Sequence, residues 1–346
     1  MIALSDEPKI ISMAHTLGVH DGNRVEGIRD FCRRKIRALV AGAGPINSIE
    51  EVERIVCEKL HITIIEVWND QDLADVIEKY ARHEKDVAFA GLRNELTDET
   101  FATLLQRKRN AGETYFSYVA VIDCRSGKAA RRFFSRWHEI AHVLTTVEQL
   151  QFPYHRSTKK KDAVEKMMDL IAGDVGFFEP IFGPLLKREL TANGGLNFSA
   201  VEKIRLSFCP TASMEATLNA CASRASNPII ILQAAMGYKK AEEEAIASMQ
   251  RELIPADKPL PQLRVMSVMP NATARAMGLI LPKNMRVPAG SVIMTSAREQ
   301  EDHRSIQAVE NLNWWRSSDG TALRHASVRV EAIFLNGRVW AIIRVL

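Results

Sequence analysis

The stretch "FFSRWHEIAHVLTT", residues 133–146, places His138 and His142 four positions apart with Glu139 directly after the first. On a helix, residues four apart lie one turn apart on the same face, so the two imidazoles can converge on one point. Phe133, Phe134, Trp137, Ile140, Ala141 and Leu144 spread a broad apolar surface along the same segment, which predicts a substantially buried helix. Buried imidazoles are costly without partners, and a metal ion is one good partner. The spacing is that of H-E-x-x-H, in which two histidines ligate zinc and the intervening glutamate handles the proton of a water without being a ligand.

A tetrahedral catalytic zinc needs a third protein ligand and keeps a fourth position open. The next helical pattern, "DAVEKMMDLIAGDVGFF" (162–178), offers Glu165 and Asp169, again four apart. Glu165 is the expected third ligand. Asp169 is the expected acceptor for the far nitrogen of a ligand histidine, which fixes its tautomer. Glu148, His155 and Glu179 compete for the third position, and Asp162 with Glu165 also has the spacing of a helix cap.

Outward from these two helices the pattern is mixed α and β. Residues 22–42 and "SIEEVERIVCEKL" (48–60) read as helices, the second opened by a Ser-x-x-Glu box. "HITIIEVW" (61–68), "DVAFAGL" (86–92) and "TYFSYVAVIDC" (114–124) read as strands, with "DETFATLLQRKRN" (98–110) helical between the last two. Residues 199–250 read as helical. "IPADKPLPQL" (254–263), with three prolines in ten residues, reads as a linker. Beyond it "SVIMTSA" (291–297) and "ASVRVEAIFLNGRVWAIIRVL" (326–346) read as β, with Asn336-Gly337 as a hairpin turn.

"SRWHEIAHVL" together with "VEKMMDLIAGDVGFFEP" resembles the ImmA/IrrE family of zinc metallopeptidases. The family pattern falls on His138, Glu139, His142, Glu165, Asp169, Ala172 and Pro180, and the likeness spans about residues 115–180. A weaker likeness over 198–235 is to the family's segment of helix-turn-helix type. The resemblance implies a zincin-like α+β core, a bound Zn2+ and an endopeptidase that cleaves a helix-turn-helix repressor in a stress-response or mobile-element circuit. It also implies that "YVAVIDC" is an edge strand beside the cleft, along which a peptide adds at Tyr118–Ile122.

The expected division is 1–190 for the metallopeptidase domain, 191–253 for a mainly helical segment, 254–263 for the linker and 264–346 for a small β-rich, regulatory C-terminal domain. The oxyanion donor is not assigned; Tyr154, His155, Tyr118 and Arg125 are the available groups. The alternative reading is a non-catalytic module of the same fold that docks to a repressor or to DNA; it would tolerate Glu139→Gln.

The bulk numbers agree with a globular protein. In 346 residues, 46% are hydrophobic and 25% charged, and the net charge of +4 makes no case for nucleic acid. Direct nucleic-acid contact is left without support. The basic runs "RRKIR" (33–37), "GKAARR" (127–132) and "KKK" (159–161) are expected to be solvated faces. Trp314-Trp315 is expected to anchor the C-terminal core. No apolar run reaches bilayer length, and five scattered cysteines outside any C-x-x-C pair fit reduced thiols in a cytoplasm.

Overall fold

A computed structural model describes residues 4–20, 22–107, 116–146, 154–157, 162–249, 260–316 and 320–346. The chain forms two compact units: 1–188 with 204–217, and 189–203 with 218–346. The architecture is mixed α+β, with the two-histidine helix in the first unit and a separate β-sheet in the second.

The first unit opens with α1 (Pro8–Thr16), α2 (Arg24–Val40) and α3 (Ile49–Lys59). Ser48 caps α3 by accepting from the Glu51 amide, as its sequence signature predicts. Then come β1 (Ile62–Val67), α4 (Asp70–Ile77), the single turn α5 (Leu92–Glu95), β2 (Thr100–Gln106), β3 (Tyr118–Asp123), α6 (Arg132–Thr145), β4 (Tyr154–Ser157) and α7 (Ala163–Val175). The sheet runs β1-β3-β2-β4; β1 and β3 are parallel and the other pairs antiparallel. One face carries a core of Val67, Leu73, Tyr80, Phe89, Leu105 and Val121. Helix α6 packs against β2 and β3.

Three expectations fail here. Residues 100–106 form a strand, not a helix, because Ala102, Thr103, Leu104 and Leu105 are all buried and the run serves both faces of a sheet. Residues 86–92 form no strand; Val87–Phe89 is a 3₁₀ turn leading to α5. Tyr118–Ile122 is not an edge: β3 is paired on both sides, as its unbroken buried run from Val119 to Asp123 requires. Its backbone therefore has no free side for a peptide, and β4 is an edge of this sheet among the described residues.

Helices α8 (Glu179–Ala192), α9 (Phe198–Phe208) and α10 (Met214–Arg224) follow, each contributing residues to both units. Pro180 does not close α7, which stops at Val175. It stands in the first turn of α8, where its missing N–H has no helical partner to lose.

The second unit holds β5 (Ile229–Gly237), α11 (Lys240–Met249), β6 (Gln262–Pro270), α12 (Ala272–Ala276), α13 (Val292–Glu299), β7 (Ser305–Asn311), β8 (Ser327–Leu335) and β9 (Arg338–Val345). Its sheet is antiparallel throughout, in the order β6-β5-β9-β8-β7. The helical reading of 191–253 thus fails at 229–237, where the buried run Ile229–Gln233 pairs with both β6 and β9. Residues 254–259 of the expected linker lie outside the described residues, and Gln262 already belongs to β6. "SVIMTSA" forms α13, capped by Ser291, rather than a strand. The β8–β9 hairpin turns at Asn336 and Gly337, both at positive φ (51° and 75°), as a two-residue type I′ turn demands. Trp315 is fully buried in this core, while Trp314 is exposed.

No helix among the described residues is long and apolar enough to cross a membrane. Cys32, Cys57, Cys124, Cys209 and Cys221 are free thiols.

Candidate metal centre

Helix α6 is buried almost all round from Phe133 to Leu144, His138, Glu139 and His142 included. Helix α7 packs along it. They approach closely at the end of α7, where a Cβ on Gly176 would stand 2.9 Å from Cγ of Trp137. Asp162 caps α7 by accepting from the amides of Val164 (2.7 Å) and Glu165 (3.1 Å), and receives Lys9 Nζ of α1 at 2.6 Å. The Arg29 guanidinium grips Asp174 through two bonds of 2.6 and 2.7 Å, which ties α7 to α2. Within "RRKIR", Arg33 joins the same carboxylate at 3.1 Å, and Lys35 donates to the Leu144 carbonyl at the end of α6 at 3.1 Å. Half of that basic run is thus structural tie rather than solvated face.

These restraints set Glu165 against both histidines. His138 Nε2 lies 3.1 Å from one carboxylate oxygen of Glu165, and His142 Nε2 lies 3.4 Å from the other. Ligand atoms of His138, His142 and Glu165 all fall within 4.8 Å of one another. A tetrahedral zinc with bonds near 2.0–2.1 Å separates its ligands by about 3.4 Å, so the two histidine–carboxylate edges have the length such an ion requires. The donor chemistry fits as well. An ionised carboxylate only accepts, so a proton or a cation must stand between it and an imidazole lone pair. His138 Nδ1 donates to Asp169 Oδ1 at 3.1 Å, the outer bond that leaves Nε2 for the ligand position.

The charge states favour a cation. Burial pushes His142 below its ordinary value, and His138 beside it adds to this against the opposing pull of Glu165; the neutral imidazole is the form that ligates metals. Burial alone would raise the Glu165 carboxyl, but hydrogen bonds and charge from His138 and His142 outweigh it and hold the group well below the carboxylate range. A His/His/Glu cluster of this geometry can coordinate a metal ion such as Zn2+.

The structure brings together His138, His142, Glu165 and Asp169, with Glu139 buried in the same helical turn. Asp162 and Glu165 do have the cap relation anticipated as a rival explanation; Glu165 holds the N3 position and also reaches the histidines. Glu179 is not in the cluster, being the first residue of α8. Glu148, Lys159, Lys160, Lys161 and the side chains of Tyr154 and His155 lie outside the described residues.

Arg125 is removed from the possible oxyanion donors. It is bound to Asp123 (2.8 and 3.1 Å), Asp70 (2.6 Å) and the Leu96 carbonyl (3.1 Å), on the wall of a polar cavity of about 660 Å³ that also includes Trp68, Asp98 and Lys128. Sequence reading gave no warning of a second buried charge group, in which Arg136 of α6 meets Glu53 and Glu66. Two of its residues precede the motif by many positions, and only the isolated arginine inside an apolar helix face could have signalled it.

No protein-family model matches the chain, and no curated protein matches it either. The site is a His-Glu-x-x-His…Glu cluster consistent with a zincin-like metallopeptidase, and its geometry carries the functional reading.

Proposed function

We propose that the chain is a zinc-dependent endopeptidase, with His138, His142 and Glu165 as ligands, Glu139 as the proton-transfer group and Asp169 as the partner that orients His138. The observation that carries this reading is the convergence of two Nε2 atoms and one carboxylate at tetrahedral spacing, with Glu139 next to the first histidine.

When bound, zinc supplies Lewis acidity, which polarises a carbonyl and eases the ionisation of a water. Glu139 takes the proton of the attacking water and delivers it to the leaving amine nitrogen. Its burial supports this role, since a carboxylate shielded from bulk solvent exchanges its proton with the reacting groups rather than with the medium. Asp169 holds the His138 ring in one tautomer throughout. The edge position of β4 offers backbone groups for an extended peptide, in place of the central β3.

The likeness of the two motif helices to the ImmA/IrrE peptidases supports a narrower substrate: a helix-turn-helix repressor, cleaved inside the cell to release a stress-response or mobile-element circuit. The second unit, with its own sheet and core, is proposed as the regulatory part.

The test is metal content and cleavage together. Wild type is expected to hold about one zinc per chain and to cut a candidate repressor at a single region. Glu139→Gln should retain the zinc and lose at least about 10²–10⁴-fold in rate. Undiminished cleavage by Glu139→Gln would remove Glu139 as the proton-transfer group. Zinc-loaded wild type that cleaves no candidate would remove the endopeptidase reading, and undiminished regulation without cleavage would favour docking.

A further inference from the structure

Arg136 stands two positions before His138, which on a helix is about 200° around the axis, so it faces away from the metal ligands. Its Nη1 lies 3.3 Å from Glu53 Oε1 on α3 and 3.6 Å from Glu66 Oε1 on β1. Arg132 Nε, one turn earlier, is 4.0 Å from the same Glu66 oxygen. All four side chains are largely buried, and Arg136 Nε has no hydrogen-bond partner among the described residues.

We propose that Glu53 is a positioning residue for the metal-binding helix and acts through the Arg136 guanidinium. This rests on the reading of His138, His142 and Glu165 as ligands. The guanidinium is shared by two carboxylates on two different elements, at distances longer than those of a closed ion pair. An ionised Glu53 draws Arg136 towards α3; a neutral Glu53 leaves it to Glu66 on β1. Either change alters the rotation of α6 about its axis, and the histidines on the far side move against Glu165 of α7.

Both states are within reach near neutral pH. Burial pushes the Glu53 carboxyl up to about 7, with Arg136 opposing and Glu50 and Glu66 adding to the rise. Of the other groups facing it, burial holds the Cys57 thiol at about 12, so it stays neutral. A carboxyl raised in the folded state costs stability as pH climbs through its folded value. The ionised form is therefore kept against the interest of folding, as expected of a group that serves the site.

The test is zinc affinity, measured by competition with a chromophoric chelator from about pH 6 to about pH 8.5, for wild type and Glu53→Gln, with circular dichroism to establish folding. The histidine ligands lose protons in both proteins, so the ratio of the two affinities is the readout. It is expected to lie near one at the acid end and to rise through pH 7 to several-fold in favour of wild type. Metal-free Glu53→Gln is expected to be the more stable protein above pH 7. A ratio that stays flat overturns the proposal. Arg136→Lys keeps the charge but gives up the planar fork, and should lose the same step; an unchanged profile there overturns it equally. Failure of wild type to bind zinc at any pH overturns the ligand reading and this proposal with it.

Discussion

Two clusters of the first unit set a carboxylate against nitrogen-bearing side chains to opposite ends. Around Asp123 every strong group is answered: its oxygens accept from Arg125 Nε, Arg125 Nη2, the Arg125 amide and Lys128 Nζ. The Lys128 ammonium spends its other donors on the carbonyls of Thr97 (2.7 Å) and Thr100 (3.1 Å). Around His138 two imidazole nitrogens and a carboxylate converge on one point, where a proton or a cation must stand between each nitrogen and the carboxylate. A cluster with matched donors and acceptors is complete as folded, and its role is to hold chain segments together. A cluster of converging lone pairs needs protons or a cation to complete it, and one metal ion can satisfy all three groups at once.

The comparison breaks most visibly on removing a ligand. His142→Ala and Glu165→Ala, each verified as folded, should lose zinc by far more than the roughly 10–100-fold that an outer partner is worth. Asp123→Asn should hold zinc as wild type does. Zinc retained in folded Glu165→Ala would move the third ligand elsewhere and end the contrast.

Asp123→Ala should act on stability instead. It leaves Lys128 without a carboxylate and Arg125 with Asp70 alone, a loss of up to about 3–5 kcal/mol in urea unfolding. A change below about 1 kcal/mol would mean that the cluster, though closed, carries little of the fold. Asp169 comes next and sharpens the first result. In Asp169→Asn the amide oxygen still accepts from His138 Nδ1, so this variant should hold zinc near wild type. Asp169→Ala loses the acceptor and should fall about 10–100-fold, or about 1.4–2.7 kcal/mol, in zinc affinity.

The same contrast explains what could be read from sequence. The metal cluster depends on spacing within two helices, i to i+4 in each, and a short window of sequence carries that information. Asp123, Arg125 and Lys128 are neighbours in sequence too, but the carbonyls that complete them come from Leu96, Thr97 and Thr100, 29, 31 and 28 residues before their donors. Backbone carbonyls leave no trace in composition. The fold divides in the same way. The β8–β9 hairpin was legible because Asn336 and Gly337 take positive φ with little cost. β2 was not, because Thr103, Leu104 and Leu105 lack alternation when both faces are covered, and their types suit a helix equally. α13 reads as strand in the sequence because its β-branched residues mask Ser291, the cap that starts the helix.

The smallest effect expected is on acid stability, and it bears on whether the Asp123 cluster works by charge. Burial alone would raise the Asp123 carboxyl, but hydrogen bonds from Arg125 and Lys128 win and hold it below the ordinary carboxylate range. A depressed folded value means that the unfolded chain takes up its proton first as pH falls. The stability due to Asp123 is thus present above about pH 4, its ordinary value, and is lost on descent towards the folded value. Asp123→Asn has no such proton to gain. Glu165 is lowered in the metal-free state of both proteins and cancels from their difference. The gap between the two urea midpoints, measured without metal, should therefore narrow from about pH 5 to about pH 3. A gap that stays constant over that range would show that the hydrogen bonds to Asp123 act without its charge. The closed cluster would then differ from the open one in kind, held by hydrogen-bond geometry where the other depends on charge.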